Sequence, residues 1–513
     1  MKKKIVAENF LLFILGIFST FSLPPFNFFL INFFTLSFFF IFLFKRLEKE
    51  TKKNFFFYGW FLGFGYFLTN LYWITISLTF DENFYFLIPI ALIIIPSFLA
   101  LFYGLISFFF YLLSPKNLIS AFFIFSLLFG IIEFIRGTIF SGFPWNLLVY
   151  SFSESLNFIS VLSLIGTYSL NLIVISLFTA PAIYILKQSK IDIWVCILIL
   201  VLPISFLSYG KLQKDNFLNK EETEIPYTIR IIGSNISLDK YYENGSAESV
   251  IEKLILLSSP TKKKKIFFLW PEVIIPNTYR DQIYLYNDIF KKNFDENHII
   301  GLGIINREFV DNKYRFYNSF SIFDNELNLI DNYNKNNLVP FGEFIPFENL
   351  LNTIGLKVIT NNFGSFSKGE DRNIIEIQDN FQKFKFLPLI CYEIIYSGNL
   401  SKNFDFDFIF NISEDGWFGK SIGPQQHFVH SIFRAIESGK YVIRSANNGM
   451  AAVLNPLGEI EQKINFGEDG YIDFNKKKNI DKTFFSTFGN LIFVFLILLY
   501  IFLIISFNRV KNE

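Results

Sequence analysis

Phe384-Lys-Phe-Leu-Pro-Leu-Ile-Cys-Tyr-Glu393 is the stretch on which the reading of this chain turns. The apolar run from Phe386 to Ile390 predicts a buried strand. It runs out on Cys391, and the carboxylate of Glu393 follows two residues later. Cys391 is one of only 2 cysteines in 513 residues, and the other, Cys196, lies inside a long apolar run. This excludes a disulfide framework and a CxxC metal pattern. A lone cysteine is ordinarily a small core hydrophobe. At a strand end beside a carboxylate it is also a candidate nucleophile.

The strand belongs to a polar region set between apolar ones. The chain is 52% hydrophobic and 20% aromatic, with 72 Phe, and its mean hydropathy is +0.38. That composition predicts an integral membrane protein. The formal net charge of +1 gives no reason to expect nucleic acid. Apolar runs dominate up to about residue 209 and after about residue 483, and most charge lies between. The expected organisation is a membrane domain over 1–209, a polar linker over 210–226, a catalytic domain over 227–475 and a C-terminal transmembrane helix over 484–507. A soluble region of that length can bury its own core.

Expected membrane spans are approximately 8–22, 26–44, 55–79, 84–113, 118–140, 156–186, 191–209 and 485–507, several longer than the ~20 residues a crossing needs. Basic residues set the orientation. Lys2 to Lys4, then Lys45, Arg46, Lys49, Lys52 and Lys53, then Lys116, Lys187 and Lys190, then Arg509 and Lys511 all fall on one side if seven helices precede the polar domain and one follows. The polar domain then faces outward. After the fifth span comes Glu133-Phe-Ile-Arg136-Gly-Thr-Ile-Phe-Ser-Gly142-Phe143-Pro144-Trp145. Gly142 and Pro144 mark a turn. Glu133 and Arg136 are spaced to pair on a helix, either structurally or as a polar site for a lipid headgroup.

Within the polar domain, short strands are expected near 227–232, 266–270, 299–305, 319–323, 386–390, 406–410, 442 and 451–454. Helices are expected near 248–257 and 425–438, so the pattern is α/β. The Lys262 to Lys265 run reads as a solvated surface. Glu272, Cys391 and Asn411 each follow a strand, and sites in open α/β sheets gather beyond the carboxyl ends of strands. Lys335, in a polar loop, can reach the same edge. A thiol needs deprotonation, a task for Glu272. A tetrahedral oxyanion needs charge and N–H donors, which Lys335 and the backbone of Tyr392 can supply. The three histidines, His298, His427 and His430, leave a Cys–His dyad open as a rival.

Trp270-Pro-Glu272, the stretch Lys335-x-x-Leu-Val-Pro-Phe-Gly-Glu343 and Cys391-Tyr-Glu393 resemble the Glu-Lys-Cys site of the nitrilase (carbon–nitrogen hydrolase) superfamily. With the surrounding helices, nearly the whole chain resembles its membrane-embedded branch, the apolipoprotein N-acyltransferases. Gly142-Phe-Pro-Trp145, Asn411-Ile-Ser, Asp415-Gly-Trp-Phe-Gly, Gly423-Pro-Gln-Gln-His427 and Arg444-Ser-Ala-Asn-Asn448-Gly449 look like further family motifs. Glu414 and Gly416 depart from the pattern, where an amide and an Ala are expected. The resemblance implies a multi-span helical membrane domain carrying a nitrilase-like αββα sandwich. It implies Cys391 as nucleophile, Glu272 as base and acid, and Lys335 as oxyanion partner, with Glu343, Tyr392 and Glu393 in support. It implies a phospholipid acyl donor, a diacylglyceryl-modified apolipoprotein acceptor and a thioester intermediate. No metal or soluble cofactor is required. A monomer in the bacterial inner membrane, its catalytic domain facing the periplasm, is the expected setting.

Three other readings stand beside this one. A membrane-tethered amidase acting on a small nitrogen compound would need one helix rather than about eight. A transporter with an exofacial domain would show more intramembrane charge than Glu133 and Arg136. A catalytically dead binding module would not be expected to keep all of Glu272, Lys335 and Cys391. The stretch Phe347 to Phe366, with Leu350, Leu351 and Ile354 between hinge candidates Gly355 and Gly364, is expected to form a mobile lid for lipid entry.

Overall fold

A computed structural model describes residues 2–241, 246–346, 365–378, 383–401 and 403–510. Its apolar helices are α1 (Lys2–Thr20), α2 (Leu30–Phe44), α3 (Lys52–Leu71), α4 (Ile88–Leu113), α5 (Leu118–Thr138), α6 (Leu162–Leu186) and α7 (Lys190–Leu218). Among the described residues, six helical segments are long and apolar enough to cross a membrane: five of these before the sheet, and Leu491–Arg509 after it. Helices α5 and α6 form the enclosed centre of this domain, while α4 and α7 lie at its periphery. Helix α3 runs on as a tighter 3-10 segment, Tyr72–Phe80, whose Trp73 and Phe80 rings meet Phe418 and Trp417 of the polar domain.

Among the described residues the polar domain has twelve strands: β1 (Glu222–Ser234), β2 (Ile266–Leu269), β3 (His298–Val310), β4 (Lys313–Phe323), β5 (Leu329–Asn334), β6 (Ile375–Gln378), β7 (Lys383–Ile390), β8 (Phe408–Glu414), β9 (Tyr441–Asn447), β10 (Ala451–Leu454), β11 (Ile460–Ile464) and β12 (Gly470–Lys478). They hydrogen-bond in the order β5-β4-β3-β2-β1-β9-β8-β7-β6. Strands β3-β2-β1-β9-β8-β7 are mutually parallel. β1 and β9 meet only through Gly233 with Ala446 and Ser234 with Asn447. The ribbon folds over at that short joint, and its two halves face each other.

Side-chain alternation explains the layers. In β2, Phe267 and Leu269 point into the core between the halves, while Ile266 and Phe268 point outward. The outward set packs on α8 (Ala247–Ser258) and α9 (Asn287–Asn293). In β7, Phe384 and Phe386 point inward and Leu387 and Leu389 outward. Ring contacts between Phe267 and Phe410 at 5.5 Å and between Phe320 and Phe386 at 6.1 Å join the two inner faces. Burying each such ring stabilises the fold by about 1.5–3 kcal/mol. The outer face of the β7–β9 half packs on α10 (Gly423–Ser438), which is buried along its length between the sheet and the membrane helices. This is the αββα sandwich expected from the resemblance.

Three local readings differ from the structure. The stretch read as a linker is helical up to Leu218 and extended from Glu222, so α7 passes almost directly into β1. Charged residues there are solvent-facing positions of regular elements. The strand expected at 406–410 runs from Phe408 to Glu414, so Asn411 lies within it. Its polar residues are buried because they bond to neighbours across the sheet. Finally, β5, β6, β11 and β12 had no sequence counterpart, being polar or short edge strands.

Candidate active site

Strand β2 ends at Leu269, and Trp270-Pro271 carries the chain to Glu272. Gly303 of β3 lets this turn lie close: a Cβ there would sit 2.4 Å from the Glu272 Cα. Glu272 is buried and accepts three hydrogen bonds. Its Oε1 takes them from Asn318 Nδ2 (2.7 Å) and Lys335 Nζ (3.3 Å). Its Oε2 takes one from the backbone N–H of Glu414 (2.9 Å) at the end of β8. The carboxyl ends of β2 and β8, one from each half of the sandwich, thus meet at this carboxylate.

Lys335 follows β5 directly, and its backbone N–H donates to the Asn318 carbonyl at 2.8 Å. Its ammonium also donates to Glu343 Oε1 at 2.9 Å. Asn318 Nδ2 donates to that same oxygen at 2.8 Å, and the Val339 N–H donates to Glu343 Oε2 at 2.8 Å. One cation, two carboxylates and one amide therefore form a closed set. Burial opposes the charge on Lys335, but Glu343 and then Glu272 outweigh it and hold its pKa well above the usual lysine range.

Cys391 opens a 3-10 turn, Cys391–Ile395, with φ at +48°. A non-glycine residue in the left-handed region costs about 1–3 kcal/mol and persists where its surroundings impose it. Its carbonyl is approached by Asn411 Nδ2 (3.5 Å) and His427 Nε2 (3.3 Å). Burial first, and the charge of Glu272 second, push the thiol pKa well up, while Lys335 acts the other way. At rest the sulfur is protonated, and a nucleophilic role requires a base.

Glu393 is fully buried and braces the loop that follows Lys335. Its Oε1 accepts from Tyr333 Oη (2.8 Å), from the N–H groups of Asn336 and Asn337 (3.0 Å each) and from Arg372 Nη2 (3.2 Å). Its Oε2 accepts from the Ile390 N–H (2.9 Å), which ties that loop to the strand carrying Cys391. Hydrogen bonds to a charged group are worth about 1.5–3 kcal/mol each. The side chain of Tyr392 turns the other way, donating from Oη to the Gly142 carbonyl at 2.9 Å, and Tyr396 does the same to Ser141 at 2.6 Å. Glu133 and Arg136 pair through Arg136 Nε at 2.8 Å, and Arg136 also donates to the Phe143 carbonyl. The pair supports the Gly142–Trp145 turn, a structural role.

Among the described residues no histidine is hydrogen-bonded to the Cys391 sulfur, and each makes other contacts. His298 contacts the Thr261 carbonyl (3.1 Å), at the opposite end of β3. His430 is packed against Trp145 and Tyr150. His427 addresses the Cys391 carbonyl and Asp415. No His, Cys, Asp and Glu group suited to a metal ion occurs among the described residues. Glu414, at one departure from the expected pattern, accepts from Asn447 (2.6 Å) and Asn448 (3.2 Å) and so ties the end of β8 to the end of β9. Sequence reasoning missed Asn318 and Arg372. The partners of both come from distant segments of the chain. The expected lid, 347–366, lies outside the described residues over 347–364.

Residues 15–180 match the family model for the apolipoprotein N-acyltransferase N-terminal domain, and residues 247–474 match carbon-nitrogen hydrolase. An apolipoprotein N-acyltransferase of Rickettsia prowazekii is 32% identical over 467 residues, covering 88% of this chain and 90% of the relative. One from Rhizobium rhizogenes is 31% identical over 427 residues, covering 81% and 78%. Among solved structures, a branch 10 nitrilase-superfamily protein of Saccharomyces cerevisiae aligns at 20% identity and TM-score 0.33 over 48% of this chain and 90% of that one. An amidase of Nesterenkonia sp. AN1 aligns at 9% identity and TM-score 0.32 over 50% and 94%.

Proposed function

The chain belongs to the apolipoprotein N-acyltransferase family and is an N-acyltransferase of lipoproteins, and from that premise we propose the route by which it acts. The acyl donor is a membrane phospholipid. Glu272 takes the proton from Cys391 Sγ, and the thiolate attacks the ester carbonyl carbon. The tetrahedral oxyanion is met by the Lys335 ammonium and the Tyr392 N–H. A C–S bond forms and the C–O bond breaks. Glu272 returns its proton to the departing glycerol oxygen, leaving a thioester on Cys391 and a lysophospholipid.

The acceptor is the α-amine of the diacylglyceryl-cysteine at an apolipoprotein N-terminus. The amine attacks the thioester, a C–N bond forms and the C–S bond breaks. Glu272 removes the amine proton and gives it to the sulfur. A thioester retains the energy for amide formation, and a buried site restricts the water that would hydrolyse it. Glu343 holds Lys335 in place, and Glu393 holds the loop that follows it. The setting is the bacterial inner membrane with the site on the periplasmic side, the side that the basic loop residues avoid.

The observation that carries this reading is the closed set of Glu272, Lys335, Glu343 and Asn318 beside a buried Cys391 whose neighbour Tyr392 bonds to a turn of the membrane domain. Transfer of a labelled acyl chain from vesicle phospholipid to a diacylglyceryl-cysteine peptide tests it, run beside ammonia release from simple amides. Label in the peptide amide is the expected result. Ammonia release without acyl transfer would favour the amidase reading.

A further inference from the structure

The proposed mechanism leaves unused a buried charged cluster directly behind the nucleophile. Asp415 follows β8, and its carboxylate is fully enclosed. It accepts from Arg444 Nη2 (2.8 and 2.9 Å), from Ser413 Oγ (2.7 Å) and faces His427 Nδ1 at 2.9 Å. Arg444 also donates to Asn411 Oδ1. The far ring nitrogen of His427, Nε2, lies 3.3 Å from the Cys391 carbonyl, and in the tautomer with an N–H there, which that oxygen can accept, Nδ1 accepts from Arg444 Nη2 at 3.2 Å, the guanidinium that Asp415 holds. Gly449 lets Asp415 fit: a Cβ at that position would stand 2.2 Å from its Oδ2.

The imidazole is also clamped between rings. Trp145, from the turn after α5, stacks on it at 5.4 Å and 20°, and Phe418 meets it edge-on at 5.4 Å. Trp145 Nε1 donates to Gln426 Oε1 at 2.9 Å, the residue before His427. The ring is thus fixed by the catalytic domain on one side and by a membrane-domain turn on the other. Its one polar contact toward the site is the carbonyl of the residue held at φ +48°.

We propose that His427 is a positioning residue: oriented by Asp415 and Arg444 and stacked under Trp145 of the membrane domain, it holds the Cys391 backbone in the left-handed conformation that aims Sγ at the acyl carbonyl. The membrane domain then takes part in building the nucleophile as well as anchoring the chain. This deepens the proposed function and rests on Cys391 being the nucleophile. A sulfur displaced by about 1 Å can lose on the order of 100-fold in rate.

The test follows acyl loading of Cys391 from phospholipid vesicles with full-length wild type, His427→Leu, His427→Gln, Trp145→Phe and Trp145→Leu. Alkylation of Cys391 by iodoacetamide is measured across pH in the same samples. Leu at 427 should slow loading about 100-fold, with KM for phospholipid unchanged. Gln, which restores an N–H donor, should recover most of that loss, and Phe at 145 should do better than Leu. The alkylation midpoint should stay where it is in wild type. Equal loading by wild type and both His427 variants would overturn the proposal. So would equal loss in Leu and Gln with a shifted alkylation midpoint, since that marks His427 as a titrating partner of the thiol. If His427→Leu fails to fold, the Trp145 pair decides: equal loading by Phe and Leu at wild-type rate refutes the clamp. Absence of loading in wild type would instead refute the proposed function, so the two failures are distinct.

Discussion

Replacing Lys335 by Met keeps the length of the side chain and removes its charge from a site where the consequences can be reckoned. The ammonium is 1% exposed and lies 2.9 Å from Glu343 Oε1 and 3.3 Å from Glu272 Oε1. Without it, both carboxylates share only Asn318 Nδ2, at 2.7 and 2.8 Å. Breaking a buried pair by removing one partner costs about 3–5 kcal/mol, and here two anions are left facing each other. The variant should therefore be less stable than wild type. The wild type keeps the set intact. Its Lys335 pKa is raised on folding, so that contribution is full below the ordinary lysine range and is lost only as pH rises through the higher folded value. The loss of an oxyanion partner should slow acyl loading by about 100- to 1,000-fold. Unfolding in detergent between pH 5 and 9, and loading of Cys391 from labelled phospholipid, measure the two effects separately. Loading at the wild-type rate would refute the role given to Lys335. A variant as stable as wild type would refute the account of the paired carboxylates.

Three further outcomes are expected. Cys391→Ala and Cys391→Ser should insert in the membrane at wild-type levels and transfer no acyl chain, measured by peptide acylation. Glu272→Gln should stop transfer and yet speed iodoacetamide alkylation of Cys391 at a fixed pH near 8 (roughly the ordinary thiol range), because the carboxylate adds to burial in raising that thiol's pKa; unchanged alkylation would contradict the electrostatic coupling. A membrane-impermeant thiol label should reach Lys220→Cys, at a partly exposed side chain, from outside the cell, and should reach Lys49→Cys only from the inside; the reverse pattern would overturn the orientation.

The parts of this molecule legible in its sequence were those written in runs. Apolar stretches announced the membrane helices, and four-to-five-residue β-rich runs such as Ile266–Leu269 announced parallel strands buried on both faces. Glu272 and Cys391 were found because each stands just beyond a strand end, and Lys335 because it lies in a polar loop within a motif that ends at Glu343. Edge strands such as β5 and β12 were not, because Asp331, Asn332 and Lys476 to Lys478 face solvent or neighbouring polar groups and break the apolar signal. Asn318 was hidden for a different reason. Its importance lies in the two carboxylates it bridges, which come from β2 and from the loop after β5, and no local pattern encodes that meeting. The apparent linker at 210–226 misled because a helix that leaves a membrane turns polar without ending.

The central claim is that an acyl chain resides on Cys391 between donor and acceptor. Intact-mass and peptide mass spectrometry of the full-length protein, after incubation with phospholipid vesicles and no acceptor, test it most directly. The account predicts a mass gain of one acyl group, carried by the peptide containing Cys391, released by neutral hydroxylamine and discharged when a diacylglyceryl-cysteine peptide is added. An unmodified protein that still acylates the peptide, or an acyl group that persists in Cys391→Ala, would contradict it.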